Sequence, residues 1–68
     1  MDIELIGEWA GKVWNALDNS EDLDIKALRR ATKLKEKELY AAFGWLGREG
    51  KLAISTNEAG ELRFALVK

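Results

Sequence analysis

Several residue types that build functional sites in other proteins are missing from this chain of 68 residues, which has no cysteine, no histidine and no proline. Without cysteine there are neither disulfides nor thiolate metal sites. Without histidine the commonest metal ligand and the usual general base at neutral pH are absent. No apolar run approaches the roughly 18 residues of a membrane span, and the N-terminal residues lack a signal-peptide layout. We therefore expect a cytoplasmic domain stabilised by packing alone, with no cofactor and no membrane partner.

The length of the chain sets a second limit. Residues 1–68 make one domain, because single cores usually reach about 100 to 150 residues before they divide. A domain this small leaves little room for the pocket of roughly 300 Å³ or more that a substrate needs. Its serine and threonine hydroxyls also have no histidine to activate them. We therefore predict that the protein is not an enzyme.

Charge is distributed unevenly along the chain, although the formal net charge is only −1. Residues 1–24 hold seven acids and one base, a charge of −6, whereas residues 25–51 hold eight bases and three acids, a charge of +5. Residues 52–68 hold two of each sign and are neutral. A basic middle segment in an otherwise acidic protein is the local footprint of a polyanion-binding surface.

Hydrophobic periodicity predicts three helices, at about residues 2–18, 25–31 and 36–49. Apolar residues recur every three or four positions in each segment, so they line one face. Asp2 and Asp24 suit the N-caps of the first two helices, and Gly50 stands at the C′ position after the third. Lys35 precedes the third helix and lacks the side-chain oxygen of a good N-cap.

The period changes from 3.6 to 2 after Gly50, which predicts an antiparallel β-hairpin with strands at about residues 51–56 and 61–67. Gly60 supplies the positive φ that its turn requires. A hairpin is marginal by itself, so its apolar face is expected to cover the helices, with a short third strand beside it near Leu23. The fold class is therefore α+β. The predicted core consists of Ile6, Val13, Trp14, Leu17, Leu28, Leu34, Leu39, Phe43, Leu46, Leu52, Ile54, Leu62 and Phe64.

Two helices joined by a tight turn and followed by a hairpin follow the plan of the winged helix-turn-helix superfamily. Residues 28–34 (LRRATKL) resemble the second helix and turn of bacterial winged-helix regulators. Residues 39–52 (LYAAFGWLGREGKL) resemble the third helix running into the wing. Within the superfamily, residues 44–51 resemble a prokaryotic family of short stand-alone winged-helix proteins catalogued as a domain of unknown function. The resemblance implies the fold, three helices and a two-stranded wing, and a binding role, either on DNA or on another protein.

In regulators of this type the third helix enters the major groove of DNA. The candidate DNA-binding residues are those of the basic segment and of the outward face of the third helix: Arg29, Arg30, Lys33, Lys35, Lys37, Tyr40, Ala41 and Arg48. Acidic residues of the third helix and the hairpin turn oppose this hypothesis, because they repel phosphates. We expect a DNA-binding domain, a small transcriptional regulator or its accessory domain. The alternative is a protein–protein interaction module that binds no nucleic acid.

The three tryptophans have different predicted environments. Trp14 lies on the buried stripe of the first helix and is expected in the core, and Trp45 is expected beneath the hairpin. Trp9 and Leu5 flank that stripe. Aromatic residues at a rim are favoured interface anchors, so this pair is the candidate surface for a weak homodimer or a protein partner. The alternative for the pair is an edge of the core.

Overall fold

The computed structural model describes residues 2–67 and contains the five elements expected from the sequence, each within one residue of its predicted bounds. They are α1 (Ile3–Asp18), α2 (Ile25–Thr32), α3 (Glu36–Arg48), β1 (Leu52–Thr56) and β2 (Leu62–Leu66). The α+β winged-helix architecture is thereby confirmed. We call residues 52–66, which comprise β1, the turn and β2, the wing.

Local signals begin the helices as predicted. Asp2 and Asp24 each accept a hydrogen bond of 2.8 Å from the backbone N–H three residues further on. Lys35 offers α3 no such oxygen, which confirms the expectation of a weaker cap. Glu38 compensates in part, because its Oε1 accepts the N–H of Lys35 at 2.8 Å, one half of a capping box.

Two glycines adopt a left-handed conformation at positions where the chain reverses. Gly50 has φ 71° after α3, and the N–H of Lys51 then reaches back to the carbonyl of Leu46 at 2.9 Å. This bond is typical of a Schellman helix end. Gly60 has φ 82° in the turn of the wing. Both predictions for these glycines are confirmed.

The wing is a two-stranded antiparallel sheet in which Leu52 lies opposite Leu66 and Ile54 lies opposite Phe64. The outer side of β2 carries an isolated antiparallel bridge, in which the N–H of Leu23 donates to the carbonyl of Phe64 at 2.9 Å and the reverse bond measures 2.8 Å. The third strand expected at Leu23 is thus a single bridged residue, at the predicted place.

The core lies between α1, α3 and the inner face of the wing. Phe64 reaches it from β2 and stacks on Phe43 of α3 with ring centroids 4.2 Å apart. Leu46, a predicted core residue on α3, is buried. The buried apolar residues are Trp9, Ala10, Val13, Leu17, Leu28, Leu34, Leu39, Ala42, Phe43, Leu46 and Phe64. Of the other predicted core residues, Ile6 and Leu52 are half-buried.

Three predicted core residues are instead exposed: Trp14 at 37%, Ile54 at 56% and Leu62 at 48%. Trp14 lies at the rim of α1, on the side where the indole of Trp45 already occupies the space above Gly7. Ile54 and Leu62 lie on the predicted face of the sheet. They are exposed because β1, which carries Ile54, is an edge strand and because Leu62 lies next to the turn. Alternation shows which way a strand residue points and not how far the helices extend beneath it.

On the other flank of α1 the structure decides between the two alternatives for Trp9. Trp9 is only 9% exposed and belongs to the core cluster, so it lies at an edge of the core and does not form an exposed docking surface with Leu5. Leu5 itself is exposed, as expected. A rim tryptophan turns inward or outward according to the tertiary neighbours on its side, which the period of a single helix does not specify.

Candidate nucleic-acid interface

The second helix carries a face made of basic side chains. Lys26, Arg29, Arg30 and Lys33 are spaced at three and four residues, so they share one side of α2, and α2 contains no acidic residue. Together with Lys35, which follows the turn, they line a shallow concave surface whose one apolar member is Leu34. We call these five bases the α2 basic surface. Four of them were candidates from the sequence, whereas Lys26 was missed.

The turn between α2 and α3 is held by a buried hydroxyl. Thr32 Oγ1 donates to the carbonyl of Leu28 at 2.6 Å and accepts the N–H of Leu34 at 3.2 Å. Lys33 follows with φ 60°, a left-handed conformation that side chains other than glycine rarely adopt. The hydroxyl therefore fixes the direction in which the chain leaves α2, and Lys33 is held outward at the corner.

The charges of the α2 basic surface are uncompensated within residues 2–67. The ion pairs in this part of the chain join Lys51 to Glu49 and Arg63 to Asp22 and Asp24, so they involve none of the five bases. Like charges within a Debye length, about 8 Å at physiological salt, repel one another and attract counterions. A nucleic acid carries condensed counterions along its phosphates, and basic side chains that neutralise those phosphates release the ions, which favours binding.

The outward face of α3 is less basic than the sequence suggested. Lys37 and Arg48 are exposed near opposite ends of the helix, with exposed Gly44 between them. Ala41, a candidate base-contacting residue, is half-buried and packed against the core, so it is poorly placed to contact a base. The structure brings the four candidate bases of α2 and the turn together, and it leaves Lys37, Tyr40 and Arg48 outside that surface.

Tyr40 is half-exposed on α3 and oriented by its neighbours. Its hydroxyl donates to Glu36 Oε1 at 3.0 Å, and its ring meets Phe43 edge to face with centroids 6.1 Å apart. The hydrogen bond to Glu36 raises the pKa of Tyr40 above its ordinary value of 10.0, because deprotonation would lose that bond and place two negative charges side by side. The phenol is therefore neutral at physiological pH. Its hydroxyl is hydrogen-bonded to the carboxylate of Glu36 at the start of α3.

The wing presents little positive charge. Arg63 is the single base of residues 52–67, and its guanidinium donates to Asp22 and lies 3.8 Å from Asp24. The hydrogen bond to Asp22 raises the pKa of Arg63. Since the turn carries Glu58 and Glu61 as well, the wing is poorly suited to hold a phosphate.

Residues 2–67 also include no group of three or more carboxylates placed to hold a metal ion. None of the helices described there has the length and apolar character to cross a membrane. The α2 basic surface is thus the most distinctive chemical feature of the described residues.

Comparison with known proteins identifies the fold family. Residues 1–65 match the model of a family described as a winged helix-turn-helix domain (DUF2582). The chain belongs to this family. The winged-helix domain is also similar to the solution NMR structure of protein BT2368 from Bacteroides thetaiotaomicron, with 35% identity and a TM-score of 0.86 over 97% of this chain and 79% of that one. The search of curated proteins found no match.

The family match confirms the resemblance seen in residues 28–34 and 39–52. It establishes a winged helix-turn-helix domain over nearly the whole chain, and its description assigns no activity. Winged-helix domains are in general binding modules rather than enzymes, so the function depends on what the surface of this particular chain can bind.

Proposed function

We propose that this winged-helix domain binds double-stranded DNA, with the α2 basic surface on the phosphate backbone. The observation that carries the proposal is the convergence of five bases on one concave surface that has no acidic lining residue. None of the five bases takes part in the ion pairs found within residues 2–67. In helix-turn-helix proteins the helix before the recognition helix crosses the backbone. That helix is α2 here.

With α2 on the backbone, α3 faces the major groove. Lys35 and Lys37 stand at its N-terminal end, where recognition helices meet bases and phosphates. Tyr40 follows one turn later, half-exposed, and is the side chain best placed to contact a base edge or a thymine methyl. Arg48 lies at the far end of the helix and reaches a phosphate beyond the groove.

Binding should be weak and little dependent on sequence for a single domain. The wing adds Glu58 and Glu61 and no available base among residues 52–67, because Arg63 is paired with Asp22 and Asp24. Affinity then comes almost wholly from phosphate contacts, which place dissociation constants in the non-specific range of roughly 10⁻⁴ to 10⁻⁶ M. A small transcriptional regulator, or an accessory domain that acts beside a stronger DNA-binding partner in the cytoplasm, fits this range.

Matched lysine variants test the proposal. Lys26→Gln and Lys12→Gln remove the same charge from the same residue type on an exposed helix face, and only Lys26 belongs to the α2 basic surface. Fluorescence anisotropy with a labelled duplex, repeated over a series of salt concentrations, gives the affinity and its salt slope. We expect Lys26→Gln and Lys33→Gln each to weaken binding equally for all sequences and to lower the slope by about one.

Variants on other surfaces test how the domain is oriented on DNA. Lys12→Gln should bind as the parent does, and Lys37→Gln should weaken binding if α3 lies at the groove. A parent that shows no salt-dependent binding at low ionic strength refutes DNA as the ligand. Equal losses of affinity in Lys12→Gln and Lys26→Gln would show that binding depends only on the net charge of the protein, and would refute the assigned surface.

A protein-binding role is the second candidate, and the exposure of Trp14 favours it. Trp14 and Trp45 line a shallow groove floored by Gly7 and Gly11, beside an α1 whose outward face carries mostly acidic charge. A basic protein partner would complement that face. This function predicts that Trp14→Ala abolishes partner binding and that the parent shows no salt-dependent binding to duplex DNA.

A further inference from the structure

The sheet of the wing has one covered edge and one open edge. Leu23 bonds to both backbone groups of Phe64 and so covers part of the outer side of β2. β1 is the other edge of the sheet, and all of its residues except half-buried Leu52 are exposed. An open edge is a row of unpaired N–H and C=O groups, which is a template for another strand.

The ladder shows which backbone groups of β1 face outward. Paired residues in antiparallel strands alternate between exchanging hydrogen bonds and pointing those groups away. Phe64 bonds to Leu23, so it does not bond to Ile54, its partner in the register. The N–H of Val67 donates to the carbonyl of Lys51 at 2.9 Å, so the odd-numbered residues of β1 are the ones that bond to β2. The outward groups of β1 therefore belong to Leu52, Ile54 and Thr56.

The edge also lacks the features that protect such strands. Proteins commonly block an open edge with a lysine, a proline or a bulge. β1 reads Leu-Ala-Ile-Ser-Thr, with no charge and no proline, and it pairs with β2 in an unbroken register. Ile54 adds an apolar side chain that is 56% exposed.

We propose that β1 pairs antiparallel with β1 of a second copy of this chain, about a two-fold axis at Ile54. In that register Ile54 faces Ile54 of the other copy, and Leu52 faces its Thr56. Because all three residues have outward backbone groups, the pairing forms about six hydrogen bonds. It joins the two wings into one four-stranded sheet.

Side chains and charges fit the same register. The two Ile54 side chains lie side by side on the face that also carries Phe64, with Cα atoms about 5.5 Å apart, so each covers the other. The charged residues that flank the paired segment are Lys51 and Glu58. Each Lys51 lies opposite Asn57 of the other copy and next to its Glu58, so opposite charges meet at both ends.

The interface is small, so the dimer is weak and forms at high protein concentration. Sedimentation equilibrium from micromolar to millimolar concentration should show the mass rising from 7.7 kDa towards twice that value. A mass that stays monomeric at millimolar concentration overturns the proposal. The measurement needs no nucleic acid, so its outcome is independent of the DNA-binding proposal.

Matched variants separate edge pairing from simple apolar adhesion. Ile54→Lys and Leu62→Lys each place a charge at an exposed apolar position on the same face, 56% and 48% exposed. Ile54→Lys puts two like charges opposite each other at the axis, which is destabilising, and should abolish the dimer. Leu62 lies on β2, away from the edge, so Leu62→Lys should keep it. Equal loss of dimer in both variants refutes edge pairing.

Amide hydrogen exchange on the parent protein tests the register without any variant. The N–H of Ile54 should exchange fast at low concentration and become at least tenfold slower where the dimer forms. The N–H of Ser55 bonds within the wing and should be protected at both concentrations. An Ile54 amide whose exchange does not change with concentration refutes the pairing, whether it is always fast or always protected by another segment.

Discussion

Replacing Thr32 by valine isolates the contribution of one buried hydroxyl to the turn between α2 and α3. Valine has nearly the same shape as threonine, so the packing around the side chain is preserved. What changes is the hydrogen bonding. The carbonyl of Leu28 keeps its place in the helical ladder, whereas the N–H of Leu34 loses the oxygen that accepts it at 3.2 Å. Thr32 and Leu34 are both buried, so water does not replace that acceptor.

The expected cost follows from the orphaned N–H. A buried donor left without a partner costs about 1 to 3 kcal/mol. For a domain of this size each kcal/mol lowers the melting temperature by about 4 to 8 °C, so we expect Thr32→Val to melt about 4 to 24 °C below the parent. A loss of about 1 to 3 kcal/mol is a substantial share of the roughly 5 to 15 kcal/mol by which folded domains are stable against unfolding.

Thermal unfolding followed by circular dichroism at low micromolar concentration measures this effect. The matched control is Thr56→Val, because Thr56 is exposed on β1 and its hydroxyl makes no hydrogen bond within residues 2–67. We expect that control to melt within about 3 °C of the parent. A Thr32→Val protein as stable as the parent would show that the hydroxyl does not hold the turn.

Two further predictions concern residues near that turn. Lys33→Gly relieves the left-handed conformation of Lys33, which costs other residues about 1 to 2 kcal/mol, so this variant should unfold at higher denaturant concentration than the parent while binding duplex DNA less tightly. Tyr40 is the single tyrosine, so a tyrosinate absorbance titration reports on it alone. Its midpoint should lie above 10.0 in the parent and fall in Glu36→Gln, since Glu36 is the main cause of the raised pKa. A midpoint that Glu36→Gln leaves unchanged would contradict the hydrogen bond. Because the folded pKa exceeds the unfolded one, the stabilisation from this contact is present below the unfolded pKa and is lost as the pH rises through the folded value.

Features that depend on neighbouring residues in the chain were predictable from the sequence. The caps at Asp2 and Asp24 and the reversals at Gly50 and Gly60 each depend on only a few consecutive residues. The bounds of the helices and strands could therefore be predicted to within one residue. The family resemblance indicated how the three helices and the wing are arranged relative to one another. The fold could therefore be predicted almost completely.

Features that depend on distant neighbours were not predictable in the same way. The choice between Trp9 and Trp14 as the buried indole is made by the packing of α1 on α3. The pairing of Arg63 with Asp22 spans 41 residues, and no local pattern indicates it. Lys26 was missed because the expected contacts centred on α3, whereas the basic residues meet on α2.

The Leu23 bridge has a consequence for the order in which the chain folds. Contacts within the helices are local and form fast, whereas Leu23 and Phe64 close a long loop and pay its entropy before they gain any contact. The wing should therefore dock after the helices have assembled and detach first on unfolding. Substitutions in the wing should then mainly accelerate unfolding, and those between α1 and α3 should slow folding. The surface bases of α2 belong to the part that forms early, and the open edge of β1 belongs to the part that forms last.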